Sequence, residues 1–163
     1  MGPAARSITR DSVDEVTEAL LSASRLLMAI SARSIAHVDD TITLPQFRTL
    51  VILAAQGPVK LATLAQQLDV QPSTATRMVE RLLAAELITR QPNPQTRREL
   101  IIDLTARGRE VVEDVTAKRR REIAGVVKKM PAAQRQGLVD ALNAFTEAGG
   151  EFAAVDGGQA PLL

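Results

Sequence analysis

Residues 61–83 read LATLAQQLDVQPSTATRMVERLL, and they restrict the fold more than any other stretch. Leu61, Leu64, Ala65 and Leu68 recur at helical spacing. Asp69-Val70-Gln71 leaves room only for a tight turn. Pro72 then opens a second helix, at a position where its missing N–H has no partner to lose. On a wheel of 3.6 residues per turn, Ala75, Met78, Val79, Leu82 and Leu83 share the core face. Ser73, Arg77, Glu80, Arg81 and Ala84 fall opposite, flanked by Thr74 and Thr76. Ser and Thr are mediocre helix formers, because their hydroxyls compete for nearby backbone groups. A helix that only had to fold would carry Ala, Glu and Lys there. Small hydroxyls let a helix approach a duplex closely, and Arg77 can reach a guanine edge or a phosphate. Short helix, tight turn and a second helix of this composition form the helix-turn-helix pattern.

The period changes after Glu86. Leu87–Arg90 and Leu100–Leu104 are β-prone, and the loop between them is rich in Pro, Asn and Gln and carries Arg97 and Arg98. A hairpin directly after a helix-turn-helix is a wing, and an arginine at its tip can enter a narrow minor groove. The net charge is only +1, so no global basic field marks a nucleic-acid binder. The excess is local: Arg77, Arg81, Arg90, Arg97 and Arg98 stand against Glu80 and Glu86.

Helices frame this unit on both sides. Residues 1–10 read as a loose arm, and Ser12 with Glu15 has capping-box spacing for a helix running to about His37. Val13, Val16, Leu20, Leu27, Ile30 and Ile35 line it, and Leu21, Leu26 and Met28 widen its apolar surface. That much apolar surface needs a partner, from the same chain or another. Thr43 with Gln46 marks the next helix start, and Gly57-Pro58 its end. Thr105 caps a long helix over roughly 106–129, Pro131 breaks it, and a last helix carries Leu138, Val139, Leu142 and Phe145. The expected organisation is a mainly α chain with a β-hairpin wing. Residues 43–105 form a winged helix-turn-helix, 12–42 and 106–148 are dimerisation helices, and 149–163 are a flexible tail.

Composition removes other functions. Of 163 residues, 45% are hydrophobic, enough for a core. Aromatics are 2%, which argues against stacking on single-stranded nucleic acid. The absence of cysteine excludes disulfides, thiolate metal sites and thiol chemistry. The single histidine, His37, argues against a classical zinc site and is read as favouring the local helix dipole. No GxxxxGK[ST] loop and no recognisable carboxylate site are present, so neither an enzyme nor a bound cofactor is expected. No signal-peptide core and no apolar run long enough for a bilayer were found, so no membrane partner and a cytoplasmic location are expected. KRRR at 118–121 is read as a solvated face or dimer salt bridges, since acidic residues flank it.

Three segments, LPQFRTLVILA, LATLAQQLDVQPSTATRMVERLLAAELITR and NPQTRRELIIDLTARGRE, in this order and spacing, closely resemble the MarR family of bacterial transcriptional regulators. The resemblance covers roughly residues 12–148. It implies a homodimer whose first and last helices interlock, with two recognition helices in successive major grooves of a pseudo-palindromic operator. It also implies, for many members, release of DNA on binding a small organic ligand. Arg48 lies near where family members bind effectors but is equally read as a structural residue, and with so few aromatics any such pocket is expected to be aliphatic. The family's wing tip commonly carries Asp-x-Arg. Here Thr96-Arg97-Arg98 stands in that place, so Arg98 matches the minor-groove arginine while its orienting aspartate is a threonine. A charge-assisted hydrogen bond would give way to a neutral one, and a more mobile tip is expected. Lys60 and Gln71 are poor N-cap residues and are candidates for phosphate contacts instead.

The expected function is a double-stranded-DNA-binding regulator, a repressor, with Ser73, Thr74, Thr76, Arg77, Arg81, Arg97 and Arg98 at the interface. The competing reading is a winged-helix module whose outer face binds a protein.

Overall fold

The structure is a computed structural model that describes residues 4–96 and 99–149, with side chains from Ser12 onward. Six helices and a three-stranded sheet follow in the order α1 (Ala4–Val38), α2 (Leu44–Gln56), β1 (Val59–Lys60), α3 (Leu61–Leu68), α4 (Pro72–Ala84), β2 (Ile88–Pro92), β3 (Leu100–Leu104), α5 (Ala106–Lys128) and α6 (Ala132–Ala148).

Helix α1 starts at Ala4, which corrects the expected loose arm over residues 1–10 and places Ser12 inside the helix. No Gly or Pro interrupts residues 4–44, and Ala4, Ala5 and Arg6 are strong helix formers, so nothing stops the helix at Ser12. Within its segment Ser12–Val38 an 18-residue window has a mean hydropathy of 1.3, so the helix is long and apolar enough to cross a membrane by length and composition alone. This corrects the expectation that no such run exists, because a helical window tolerates Arg25 and Arg33 where an uninterrupted apolar run does not. Toward its C-terminal end α1 packs against α5, burying Ile30, Ser31, Ser34 and Ile35.

Local chemistry sets the other boundaries. The Thr43 side chain accepts from Gln46 N while Gln46 Oε1 accepts from Thr43 N at 2.8 Å, the reciprocal capping box the sequence announces. Gly57 closes α2 at φ 75, a conformation that favours glycine. Asp69, at φ 52, takes the left-handed turn between α3 and α4. Leu50, Leu53, Leu64, Val79, Leu82, Leu87 and Ile102 are essentially solvent-free and join α2, α3, α4 and the sheet in one core. Each contributes about 1.5–3 kcal/mol by leaving water.

The sheet has the order β1-β3-β2 and is antiparallel throughout. Its β2/β3 hairpin was expected. The third strand was not: Val59 and Lys60 pair with Ile102 and Ile101, and two residues carry no readable period. Helix α5 begins on the hairpin. Thr105 Oγ1 accepts from Gly108 N at 2.9 Å and donates to Glu86 O at 2.8 Å. Arg107 donates to Ala85 O at 3.2 Å. A Cβ on Gly108 would meet Leu87 O at 2.1 Å, so only glycine permits this approach.

Candidate nucleic-acid interface

Helix α4 divides as its sequence divides. Ala75, Val79 and Leu82 are buried, and Met78 and Leu83 pack against the same core. Ser73, Thr74, Arg77, Glu80 and Arg81 are exposed on the other side. Thr76 is half-buried, and its hydroxyl donates to Pro72 O at 2.9 Å. Its oxygen can still accept from a ligand, but its proton is already engaged. The exposed side chains of Ser73, Thr74, Arg77 and Arg81 make no such intrachain bond among the described residues. Thr74, Arg77 and Arg81 also line a shallow cavity of about 250 Å³ against Thr43, Pro45 and Gln46 at the start of α2. Two guanidiniums and two hydroxyls thus line one cavity between the start of α2 and the outer face of α4, a cationic setting that favours an anion.

Neither predicted poor cap makes a side-chain capping bond: Gln71 and Lys60 are uncapped starts of α4 and α3. Lys60 is not free. Its Nζ lies 2.9 and 2.7 Å from the two carboxylate oxygens of Glu99. Glu99 also accepts from Thr96 Oγ1 at 2.8 Å. The Thr96 hydroxyl is thus engaged in a charge-assisted bond to a carboxylate three residues on, while the bond expected between Thr96 and Arg98 lies outside the described residues. Backbone bonds brace the same turn: Asn93 N donates to Glu99 O at 2.7 Å and Glu99 N to Thr96 O at 2.9 Å. Arg97 and Arg98, placed at the interface from the sequence, lie outside the described residues, as does the tail beyond Gly149. Arg90 is exposed on β2.

Behind α4 lies a second feature. A cavity of about 510 Å³ opens between α1, α2, α4 and α5, lined by Leu27, Met28, Leu44, Phe47, Val70, Met78 and Val115 with Arg48 and Arg119. Its wall is largely aliphatic, with Phe47 as its one aromatic. Arg119 belongs to the KRRR run that was read as a solvated face. It is instead half-buried, its Nε has no hydrogen-bond partner among the described residues, and burial pushes its pKa down. Sequence reasoning missed it because one residue of a charged run turned inward shows no separate signal. Met78 lines both this cavity and the shallow one on the exposed face, and its sulfur accepts from the buried Thr49 Oγ1 at 2.9 Å. His37 is exposed in the last turn of α1, where a cation favours the helix dipole. Among the described residues no cluster of His, Asp or Glu could hold a metal ion.

A two-helix reader with a hairpin beside it and long helices on either flank defines a winged helix-turn-helix protein. Comparison with known proteins narrows the class. The MarR family profile matches residues 42–100, from just before α2 to the first residue of β3. The crystal structure of RV1404 from Mycobacterium tuberculosis superimposes with a TM-score of 0.80 at 64% identity, covering 88% of this chain and 98% of that one. A MarR family protein from Bacillus stearothermophilus shares the fold with a TM-score of 0.77 at 23% identity, over 87% and 98% of the two chains. The chain belongs to the MarR family. Among curated relatives, the HTH-type transcriptional regulator YhbI of Bacillus subtilis is 32% identical over 60% of this chain and 63% of its own. The HTH-type transcriptional repressor NicR of Pseudomonas putida is 37% identical over 46% of this chain and 48% of its own. The chain therefore spans about half the length of the curated relatives it matches, from 43% to 63%.

Proposed function

We propose that the chain is a sequence-specific, double-stranded-DNA-binding transcriptional repressor that acts as a homodimer on a pseudo-palindromic operator. The observation that carries this reading is the outer face of α4. Ser73, Thr74, Arg77 and Arg81 are exposed on a helix whose opposite face is sealed into the core. In this reading phosphate contacts set affinity, and Ser73, Thr74, Thr76 and Arg77 read bases or adjacent backbone. Arg98, with Arg97, probes the minor groove. A solved MepR variant of S. aureus with the same fold is bound to an oligodeoxyribonucleotide, which supports the same use of this scaffold.

Dimerisation is assigned to α1 with α5 and α6. Val13, Val16, Leu26 and Met28 on α1 and Leu138, Val139, Leu142 and Phe145 on α6 are exposed in the single chain. Asp14, Glu15, Glu18, Arg25 and Arg33 spread charge along α1, which favours a second protein chain over lipid as its cover. The cavity behind α4 is assigned to a small organic effector. Its apolar wall takes a hydrophobic body, and the unpartnered Nε of Arg119 takes an acceptor. Occupancy reaches the duplex through Met78 at the back of the recognition helix. No membrane or cofactor enters this mechanism.

The test is anisotropy of a labelled duplex from the gene's own upstream region, titrated at several salt concentrations beside a scrambled duplex. Wild type should bind the native sequence more tightly, with affinity falling steeply as salt rises. Arg77→Ala should cost about 1–3 kcal/mol and relax that preference. Salt-insensitive, sequence-blind binding that tolerates Arg77→Ala would favour the protein-docking alternative.

A further inference from the structure

We propose that Glu99 is a positioning residue of the wing. Its carboxylate, gripped by Lys60 and Thr96, ties the hairpin tip to the start of α3 and sets where that tip meets a duplex. The proposal rests on the DNA-binding reading above.

Three segments converge on this one carboxylate. Lys60 ends β1 and is the residue before α3, yet its side chain does nothing for that helix. It reaches across 39 residues of sequence to both oxygens of Glu99. Thr96 binds the same carboxylate from the tip side at 2.8 Å. Thr96 and Glu99 bracket the Arg97-Arg98 pair, and they are joined by a backbone bond as well as the side-chain bond. The clasp therefore holds both ends of the segment that carries the two arginines against the helix-turn-helix.

Folding does not need this clasp. The β1–β3 and β2–β3 ladders already set the register of the sheet. Lys60 and Glu99 are about half exposed, and an exposed ion pair contributes little to stability. The clasp also opposes general affinity for DNA, because a carboxylate repels phosphate and here occupies a lysine that could contact one. A surface meant for phosphates gains nothing from Glu99 except geometry. Lys60 and Thr96 lower the Glu99 pKa from its ordinary 4.5, so the clasp is closed at neutral pH. It opens only as pH falls through that depressed value.

The experiment uses the full chain and a duplex selected by the wild type from a random pool, with a scrambled duplex for comparison. Glu99→Ala, which removes both acceptors, should lower the preference for the selected duplex about fivefold while affinity for the scrambled duplex holds or rises. Glu99→Gln keeps one acceptor and should lose about twofold. Thr96→Val changes no charge and should lower the preference without altering the salt slope. Its effect should vanish in the Glu99→Ala background, because both changes open one clasp. Thermal midpoints should match the wild type in every variant. Unchanged preference in both Glu99 variants overturns the proposal, as does a parallel loss on both duplexes. A wild type that selects no duplex at all would instead overturn the DNA-binding reading.

Discussion

The segment from Thr43 to Leu104 and the outer helices handle their apolar residues in opposite ways. In the first, Leu50, Leu53, Leu64, Val79, Leu82 and Ile102 leave water inside one chain, and what remains outside is mostly polar. In the second, α6 buries no residue at all, and α1 buries only its C-terminal third, leaving Val13, Val16 and Leu21 exposed. Both kinds of helix have the same period and similar residues, so periodicity alone does not decide burial. What decides it is whether a second layer lies opposite, and among the described residues none buries any part of α6. A helix with an uncovered apolar stripe is stable only once something covers it. The winged unit is thus sealed within one chain, whereas the outer helices are left with an apolar face uncovered among the described residues.

The largest effect should come from the outer helices. Replacing Leu142 and Phe145 together by Glu puts two charges into the stripe of α6. If a second copy covers that stripe, sedimentation should show association weakened by about a hundredfold or more. Operator binding should fall with it, because one module offers limited contact area. The winged unit should keep its near-native helicity. An unchanged sedimentation coefficient would break the comparison, since α6 would then be a surface that needs no cover.

Next in size is the joint between the two regions. Gly108 lets α5 sit against the turn after α4, where any Cβ would strike Leu87 O. Gly108→Ala should destabilise the chain by about 3 kcal/mol, read from the shift of the urea midpoint. The backbone bond from Thr105 N to Leu87 O, at 3.1 Å, would have to lengthen. A loss below about 0.5 kcal/mol would mean that the joint flexes, and that the winged unit and the outer helices are less rigidly coupled than the contact implies.

Legibility in the sequence follows the same division. The α3–α4 pair was readable because its signals are local: a helical period, a three-residue turn and a proline at the start of α4. The exposed and buried faces of α4 fall where the wheel puts them. What escaped depends on distance. Strand β1 is two residues long and exists only because β3 lies beside it. Glu99 reads as an ordinary wing charge until the fold brings Lys60 to it. Arg119 is hidden inside a basic run until α5 rotates it into the cavity. The start of α1 was misplaced for the opposite reason. A capping-box spacing at Ser12 and Glu15 is a real local signal, but it acts only where the chain is free to break.

The smallest expected effect compares that false cap with a true one. At Thr43 the chain enters α2 from an extended residue at ψ 159, so the first-turn N–H groups lack helical partners and the hydroxyl meets a real need. At Ser12 the backbone is already helical, and its N–H groups have carbonyls one turn back. Thr43→Ala should therefore cost about 1 kcal/mol of stability. Ser12→Ala should cost nothing, or stabilise slightly, because alanine is the better helix former. Equal losses at both positions by urea denaturation would mean that α1 begins near Ser12 after all. A loss at Thr43 alone would show that the same four-residue spacing stabilises a helix only where the preceding residue is not helical.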